Sequence, residues 1–349
     1  MIDLRSDTVT QPTPAMRQAM ADAAVGDDVL DGDPTLRELE RTVAGLTGRE
    51  DALWMPTGCM SNLVGLMLHL RRGDRFLAPA HAHVVDSELG TAAWLAQGMP
   101  VELPWAPTPG TAGVPSVADV VAAATAGGPY YTLRPALLCL ENTHNAAGGS
   151  VTDPTTHHRL VAAAHSHGLA VHLDGARIWH AAAALGVEVR ELVGDADTVS
   201  VCLSKGLGAP VGSVLAGSTD HITEARRIRK MLGGGIRQGG VLGAAGLVAL
   251  HEGLPRIDDD RLLAQHLADG LATLGCRVVP PATNILLVAV PDLAAALAGL
   301  VGVGVLASTM NGHVRFVTHR DVTTTDVDAA LAAIAASPEV LAALRPAAA

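Results

Sequence analysis

Aromatic residues are nearly missing from this 349-residue chain, which has two Phe, two Tyr and four Trp, 2% of the sequence. Its cores must therefore rest on Ala, Val and Leu, and a hydrophobic content of 49% is ample for that. Cysteine is scarce as well. Cys59, Cys139, Cys202 and Cys276 are scattered, mostly within apolar runs, which fits reduced, buried thiols of a cytoplasmic protein. The spacing suits neither a disulfide framework nor a metal cage. Basic charge is in deficit: 24 Lys and Arg stand against 35 Asp and Glu, for a net charge of −11. That balance argues against a nucleic acid or an anionic membrane as a partner. No apolar run reaches the roughly 18 residues of a membrane span, Met1–Asp7 does not read as a signal peptide, and no solenoid-type repeat is found.

The length exceeds one ordinary core, so two domains are expected. Asp3 to Pro14, polar and with two prolines, reads as an extended arm, and Thr13-Pro14 opens a helix through Ala24. Asp33 is placed to cap the next helix, with Pro34 in its first turn and Leu36, Leu39, Val43 and Leu46 on its apolar face. Strands are expected at 52–55, 75–79, 101–105, 136–141, 169–174, 198–204 and 213–217, with helical segments between most of them. This alternation predicts an α/β domain with a mainly parallel seven-stranded sheet flanked by helices. A basic helix over 224–231 runs into Gly233-Gly234-Gly235, read as a flexible junction. Beyond Leu274, short strands at 276–279, 285–290, 303–307 and 314–318 alternate with helices, a compact α+β pattern. The expected division is an arm at 1–15, a large domain at 16–245 and a small C-terminal domain at 246–349.

Chemistry concentrates at strand ends. The apolar run Val199–Leu203 ends in Ser204-Lys205-Gly206, and Leu169–Leu173 ends in Asp174. Thirty-one positions separate Asp174 from Lys205, the length of one strand–helix–strand repeat. Right-handed crossovers would put both on the same sheet edge, where open α/β sheets bind ligands. An amine there can form a Schiff base, and a nearby carboxylate keeps a pyridine nitrogen protonated. A snorkelling lysine or a plain ion pair satisfies the same pattern. Pro56-Thr57-Gly58-Cys59 enters an apolar helix, and such a turn offers free N–H groups to an anion such as a phosphate. With 15 histidines in the chain, composition alone singles out none.

Longer segments join these pieces. Leu4–Thr10, Gly26-Asp27-Asp28-Val29, Glu141-Asn142-Thr143-His144-Asn145, Asp174-Gly175-Ala176-Arg177-Ile178, Leu203–Leu207, Met231–Gly235 and Val314–His319 occur in this order. Together they resemble the low-specificity L-threonine aldolases over essentially the whole chain. The resemblance implies the aspartate-aminotransferase-like architecture of fold type I and pyridoxal 5'-phosphate as cofactor. It implies Lys205 as the Schiff-base lysine and Asp174 as the partner of the pyridine nitrogen. Arg177 matches an arginine near the ring oxygen and the substrate carboxylate; Ser6 and Arg315 match further carboxylate-holding groups. Gly58 and Cys59 fall at the phosphate turn, and Arg237 matches an arginine that reaches a phosphate across a subunit interface. His83 matches the histidine stacked on the ring, and His144 one near the substrate hydroxyl. No metal is expected. The family implies a homotetramer, a dimer of dimers.

The implied reaction is reversible retro-aldol cleavage of L-threonine, L-allo-threonine and related β-hydroxy-α-amino acids to glycine and an aldehyde. A β-eliminating lyase or an aminotransferase on the same fold is the alternative. The departures from the family pattern cluster around the substrate. Leu30, followed by Asp31, stands where the family has a tyrosine, Val85 and Ser87 stand where bulky aromatics are common, and Cys59 replaces a threonine. They predict a wider pocket that accepts aromatic aldehydes, as from phenylserine.

Overall fold

The structure, a computed structural model, describes residues 1–30, 32–108 and 110–345, so Asp31 lies outside the described residues. After β1 (Ile2–Asp3), seven strands build the central sheet: β2 (Asp51–Met55), β3 (Arg75–Pro79), β4 (Met99–Leu103), β5 (Pro135–Glu141), β6 (Ala170–Gly175), β7 (Thr198–Cys202) and β8 (Ser213–Gly217). Their order is β2-β8-β7-β6-β5-β3-β4. Among them β8 alone runs against its neighbours; the other pairings are parallel. The mainly parallel seven-stranded α/β sheet expected from the sequence is therefore present.

Strand alternation determines what each sheet face holds. Leu138, Leu140, Val171, Leu173, Val199 and Val201 enter one large apolar cluster. Leu137 and Cys139 join a second cluster on the opposite face with Phe76 and Leu66. The residues between, His172, Asp174, Thr198 and Ser200, share that opposite face and are buried there. The helix Gly58–His69 covers them. A row of polar side chains is thus enclosed under one helix, and each must find a hydrogen-bond partner.

Several local signals act as expected. Asp33 caps the helix Pro34–Thr47 by accepting from the Leu36 N–H. The first helix stops at Ala21, shorter than anticipated, with Asp22 as its cap. The basic helix begins earlier, spanning Thr219–Met231. The glycine run after it is no flexible junction. Gly233 and Gly234 close a turn on Lys230 and Arg229, and a Cβ on Gly234 would lie 2.2 Å from the Met60 sulfur. Close packing selects glycine at 234, and a left-handed backbone at φ +79° selects it at 233.

The expected division between 245 and 246 falls inside the helix Gly240–Val248, and Ala249, Leu250 and Ile257 pack in the large sheet cluster. The C-terminal part contributes β9 (Arg277–Val279), β10 (Ile285–Ala289), β11 (Val305–Leu306), β12 (Ser308–Met310) and β13 (His313–Val317). An antiparallel sheet in the order β12-β13-β10-β9 packs with the helices Ile257–Thr273 and Thr324–Ala335 around its own core. The amino-terminal arm docks onto this part: β1 pairs with β11, and Leu4 is buried in the same core. Among the described residues, no single helix is long and apolar enough to cross a membrane.

Candidate active site

The carboxyl ends of β5, β6 and β7 meet in register. Glu141 lies opposite Asp174, and Asp174 opposite Ser200. A cavity of about 160 Å³ opens at this edge, lined by Gly58, Cys59, Asn62, His83, Asp174, Ala176, Ser200, Ser204 and Lys205, among others. Sequence positions spread over almost 150 residues are thereby brought to one place. A larger cavity of about 640 Å³ lies against the basic helix, near Asp28 and Val29, and contains none of these groups. The amine and carboxylate expected at the sheet edge both line the smaller one.

Asp174 accepts from Asn62 Nδ2 at 2.8 Å and from the Ala176 N–H at 3.0 Å. His83 opens a short helix (His83–Asp86), its backbone N–H held by Glu141 Oε2 at 2.7 Å and its Nδ1 2.8 Å from Glu88 Oε1. That bond to Glu88 raises the His83 pKa against the opposing effect of burial. Burial likewise raises Glu88. Gly58 and Cys59 form the first turn of the helix Gly58–His69, whose Thr57 cap spends its hydroxyl on the Met60 N–H at 3.1 Å. The N–H groups at this helix start suit an anion. Cys59 is exposed, unlike the other three cysteines and unlike the buried thiol expected. Its place in an exposed helix turn outweighs its apolar character.

Two arginines meet beside this cavity without lining it. Arg177 gives Nε and Nη2 to the buried Asp7 carboxylate, both at 2.7 Å. Its Nη1 reaches Asn145 Oδ1 at 3.2 Å, and Arg315 Nη2 reaches the same oxygen at 3.0 Å. Arg315 is buried, pairs with no carboxylate among the described residues, and keeps an unpartnered Nε. Burial, followed by the charge of Arg177, lowers its pKa to about 10. A buried guanidinium is costly without a counter-charge; Arg177 has Asp7, whereas Arg315 has only the neutral Asn145 oxygen as a side-chain partner among the described residues.

Three other expected residues do not line the cavity either. Ser6 caps a short turn and accepts from Thr8, beside Asp7 and outside the cavity lining. His144 is buried against Trp105 and does not line the cavity; its Nδ1 accepts from the Ala147 N–H, and burial lowers its pKa to about 4. Arg237 is exposed, its carbonyl held by the Asp28 N–H. Asn62, Glu88, Asp7 and Asn145 were not foreseen as site residues. Glu141 was read only as part of a motif; it is buried, accepts from the N–H groups of His83 and Asn145, and is raised to about 7 by burial and then by Asp174.

The family described as "Beta-eliminating lyase" matches residues 3–292. The low specificity L-threonine aldolase of Escherichia coli (strain K12) is 42% identical over 92% of this chain and 95% of its own. Low-specificity L-threonine aldolase 1 of Arabidopsis thaliana is 42% identical over 93% of each. The chain belongs to the threonine aldolase family. Among solved structures, a Leishmania major threonine aldolase matches with a TM-score of 0.80 at 21% identity, covering 95% of this chain and 98% of that one. A Sphingomonas wittichii serine palmitoyltransferase reaches 0.76 at 19% identity, over 98% of this chain and 88% of its own. At such identities the likeness speaks for the fold. The threonine aldolase fold here is therefore α/β with a central, mostly parallel sheet, the architecture of fold type I.

Proposed function

We propose that this threonine aldolase family member cleaves L-threonine, L-allo-threonine and related β-hydroxy-α-amino acids, phenylserine among them, to glycine and an aldehyde. The convergence of Lys205, Asp174 and His83 on one cavity carries this reading. Pyridoxal 5'-phosphate fits the donor set: an amine, a hydrogen-bonded carboxylate and a helix N-terminus line the same space. Lys205 would hold its carbonyl carbon, Asp174 its ring nitrogen, His83 its ring, and Gly58 and Cys59 its phosphate. When bound, the cofactor supplies an electron sink for the carbanion left by Cα–Cβ cleavage.

The chain's own groups account for the remaining steps. Arg315, with Arg177 and Ser6, orients the substrate carboxylate, displacing the neutral Asn145 oxygen. With Nδ1–H given to Glu88, neutral His83 keeps a free lone pair at Nε2, and Glu88 makes that nitrogen more basic. His83 therefore takes the β-hydroxyl proton. His144 is poorly suited to that task, because accepting at Nδ1 puts the proton of its neutral ring on Nε2. Its Nε2 stands 4.0 Å from Glu141 Oε2 and the ring does not line the cavity, so the proton transfer is not assigned to it.

A homotetramer in the cytoplasm completes the proposal, with Arg237 reaching a phosphate in a neighbouring subunit. Exposed Val29, Leu30 and Met231 support an interface beside Arg237. A product assay on purified protein tests the function. Glycine with acetaldehyde from either threonine epimer is expected, and Lys205→Ala should lose both cofactor absorbance and cleavage. Ammonia with a keto acid in place of glycine would instead establish the β-eliminating reading that the matched family description also admits.

A further inference from the structure

A line of polar side chains runs beneath the helix Gly58–His69, and their donor and acceptor roles follow from one another. Asn62 Nδ2 lies 2.8 Å from Glu88 Oε1 and 2.8 Å from Asp174 Oδ2. Both partners are carboxylate oxygens, so the amide nitrogen spends its two hydrogens there. Asn62 Oδ1 is left to accept, and it faces His172 Nε2 at 3.3 Å, which must donate. Burial lowers His172 to about 4, so its ring is neutral and Nδ1 carries a lone pair. Thr198 Oγ1, 2.9 Å away, must donate to that lone pair. Having one hydrogen, Thr198 accepts from His69 Nε2 at 3.0 Å, on a ring that burial also keeps neutral.

Every bond in this chain points the same way, from His69 to the two carboxylates. The fold also makes room for it. A Cβ on Gly65 would lie 2.4 Å from His172 Cε1, so the helix gives up propensity where the ring sits. The two carboxylates at the end face each other across one amide, and like charges that close repel unless donors stand between them.

We propose that Asn62 is the positioning residue of the site: oriented by His172, its amide clamps Asp174 and Glu88 side by side. The carboxylate meant for the cofactor ring nitrogen and the one that orients His83 then form a single unit. This rests on the role given to Asp174 above. Asn62 touches both carboxylates, whereas His172 acts only through Asn62.

Titration of the apoproteins with pyridoxal 5'-phosphate, followed by absorbance, tests the proposal, with the Tm of each apoprotein measured alongside. Asn62→Leu removes both charge-assisted bonds and should weaken cofactor binding about 10- to 100-fold. His172→Leu frees the amide to rotate and should weaken it several-fold. In His172→Gln a side-chain amide can still donate to Asn62 Oδ1, so binding should return toward the wild-type value. Gly65→Ala, whose added methyl group presses on the His172 ring without removing a polar group, should shift binding in the same direction as His172→Leu. Unchanged binding in Asn62→Leu, or equal losses in His172→Leu and His172→Gln, overturns the inference whatever happens to Tm. If Asn62→Leu does not fold, the His172 pair decides. A wild-type protein that takes up no pyridoxal phosphate overturns the proposed function itself, and this inference with it.

Discussion

Asp7→Ala probes how the arginine pair is held. The Asp7 carboxylate is fully buried and takes two N–H groups of Arg177 at 2.7 Å, with Asn284 Nδ2 at 3.3 Å. Burial alone would raise this carboxyl, but the charge and hydrogen bonds of Arg177 outweigh it and hold it well below the usual range. Without Asp7, a guanidinium only 4% exposed keeps Asn145 as its side-chain partner, close to Arg315 at 7% exposure. Leaving a buried charge uncompensated costs about 3–5 kcal/mol. Unfolding entropy for a chain of this length is roughly 0.7 kcal/mol/K, so Tm should fall by about 4–7 °C. The pH dependence carries its own sign. A carboxyl depressed in the folded state adds stability that is fully present above its unfolded value of 3.8 and is lost as the pH falls through the folded one. The stability gap between wild type and Asp7→Ala should therefore stay constant above about pH 5 and narrow below about pH 4. Urea unfolding of the apoproteins from pH 3 to 7 measures both quantities. A loss under about 1 kcal/mol, or a gap that widens in acid, would refute the argument.

Glu141 gives the opposite sign. Its carboxyl, raised to about 7 in the folded protein, keeps a proton that the unfolded chain releases near 4.5, so wild type should lose about 3 kcal/mol relative to Glu141→Gln across that window. Parallel stability curves for the two proteins would refute this. Asn145→Asp puts a charge between Arg177 and Arg315 and should raise KM for the amino-acid substrate about 10- to 100-fold, with kcat less affected. A lowered KM would show that the pair does not bind the carboxylate. Cys59→Thr restores a hydroxyl at the helix start and should tighten cofactor binding several-fold, read by apoprotein titration. Phenylserine should be cleaved at least as well as threonine, given the small Val85 and Ser87; a far lower kcat/KM for phenylserine would count against the wide pocket.

By itself the sequence determined the sheet and its chemical edge. Val199 and Val201 alternate with Thr198 and Ser200, and Val171 and Leu173 with His172 and Asp174. The apolar runs made both strands legible, although the second stops at Cys202, short of Lys205, where the expected strand continued to 204. Tertiary structure alone decided the partners. Asn62 meets Asp174 across 112 positions and Arg177 meets Asp7 across 170, because strand order and helix docking choose which distant side chains share a hydrogen bond. The same docking turned a plain helical asparagine into a clamp, put the Asp7 carboxylate on Arg177, and set His144 away from the cavity it was expected to line. Local pattern states what a residue prefers to bury or expose, and three-dimensional packing determines which group satisfies it.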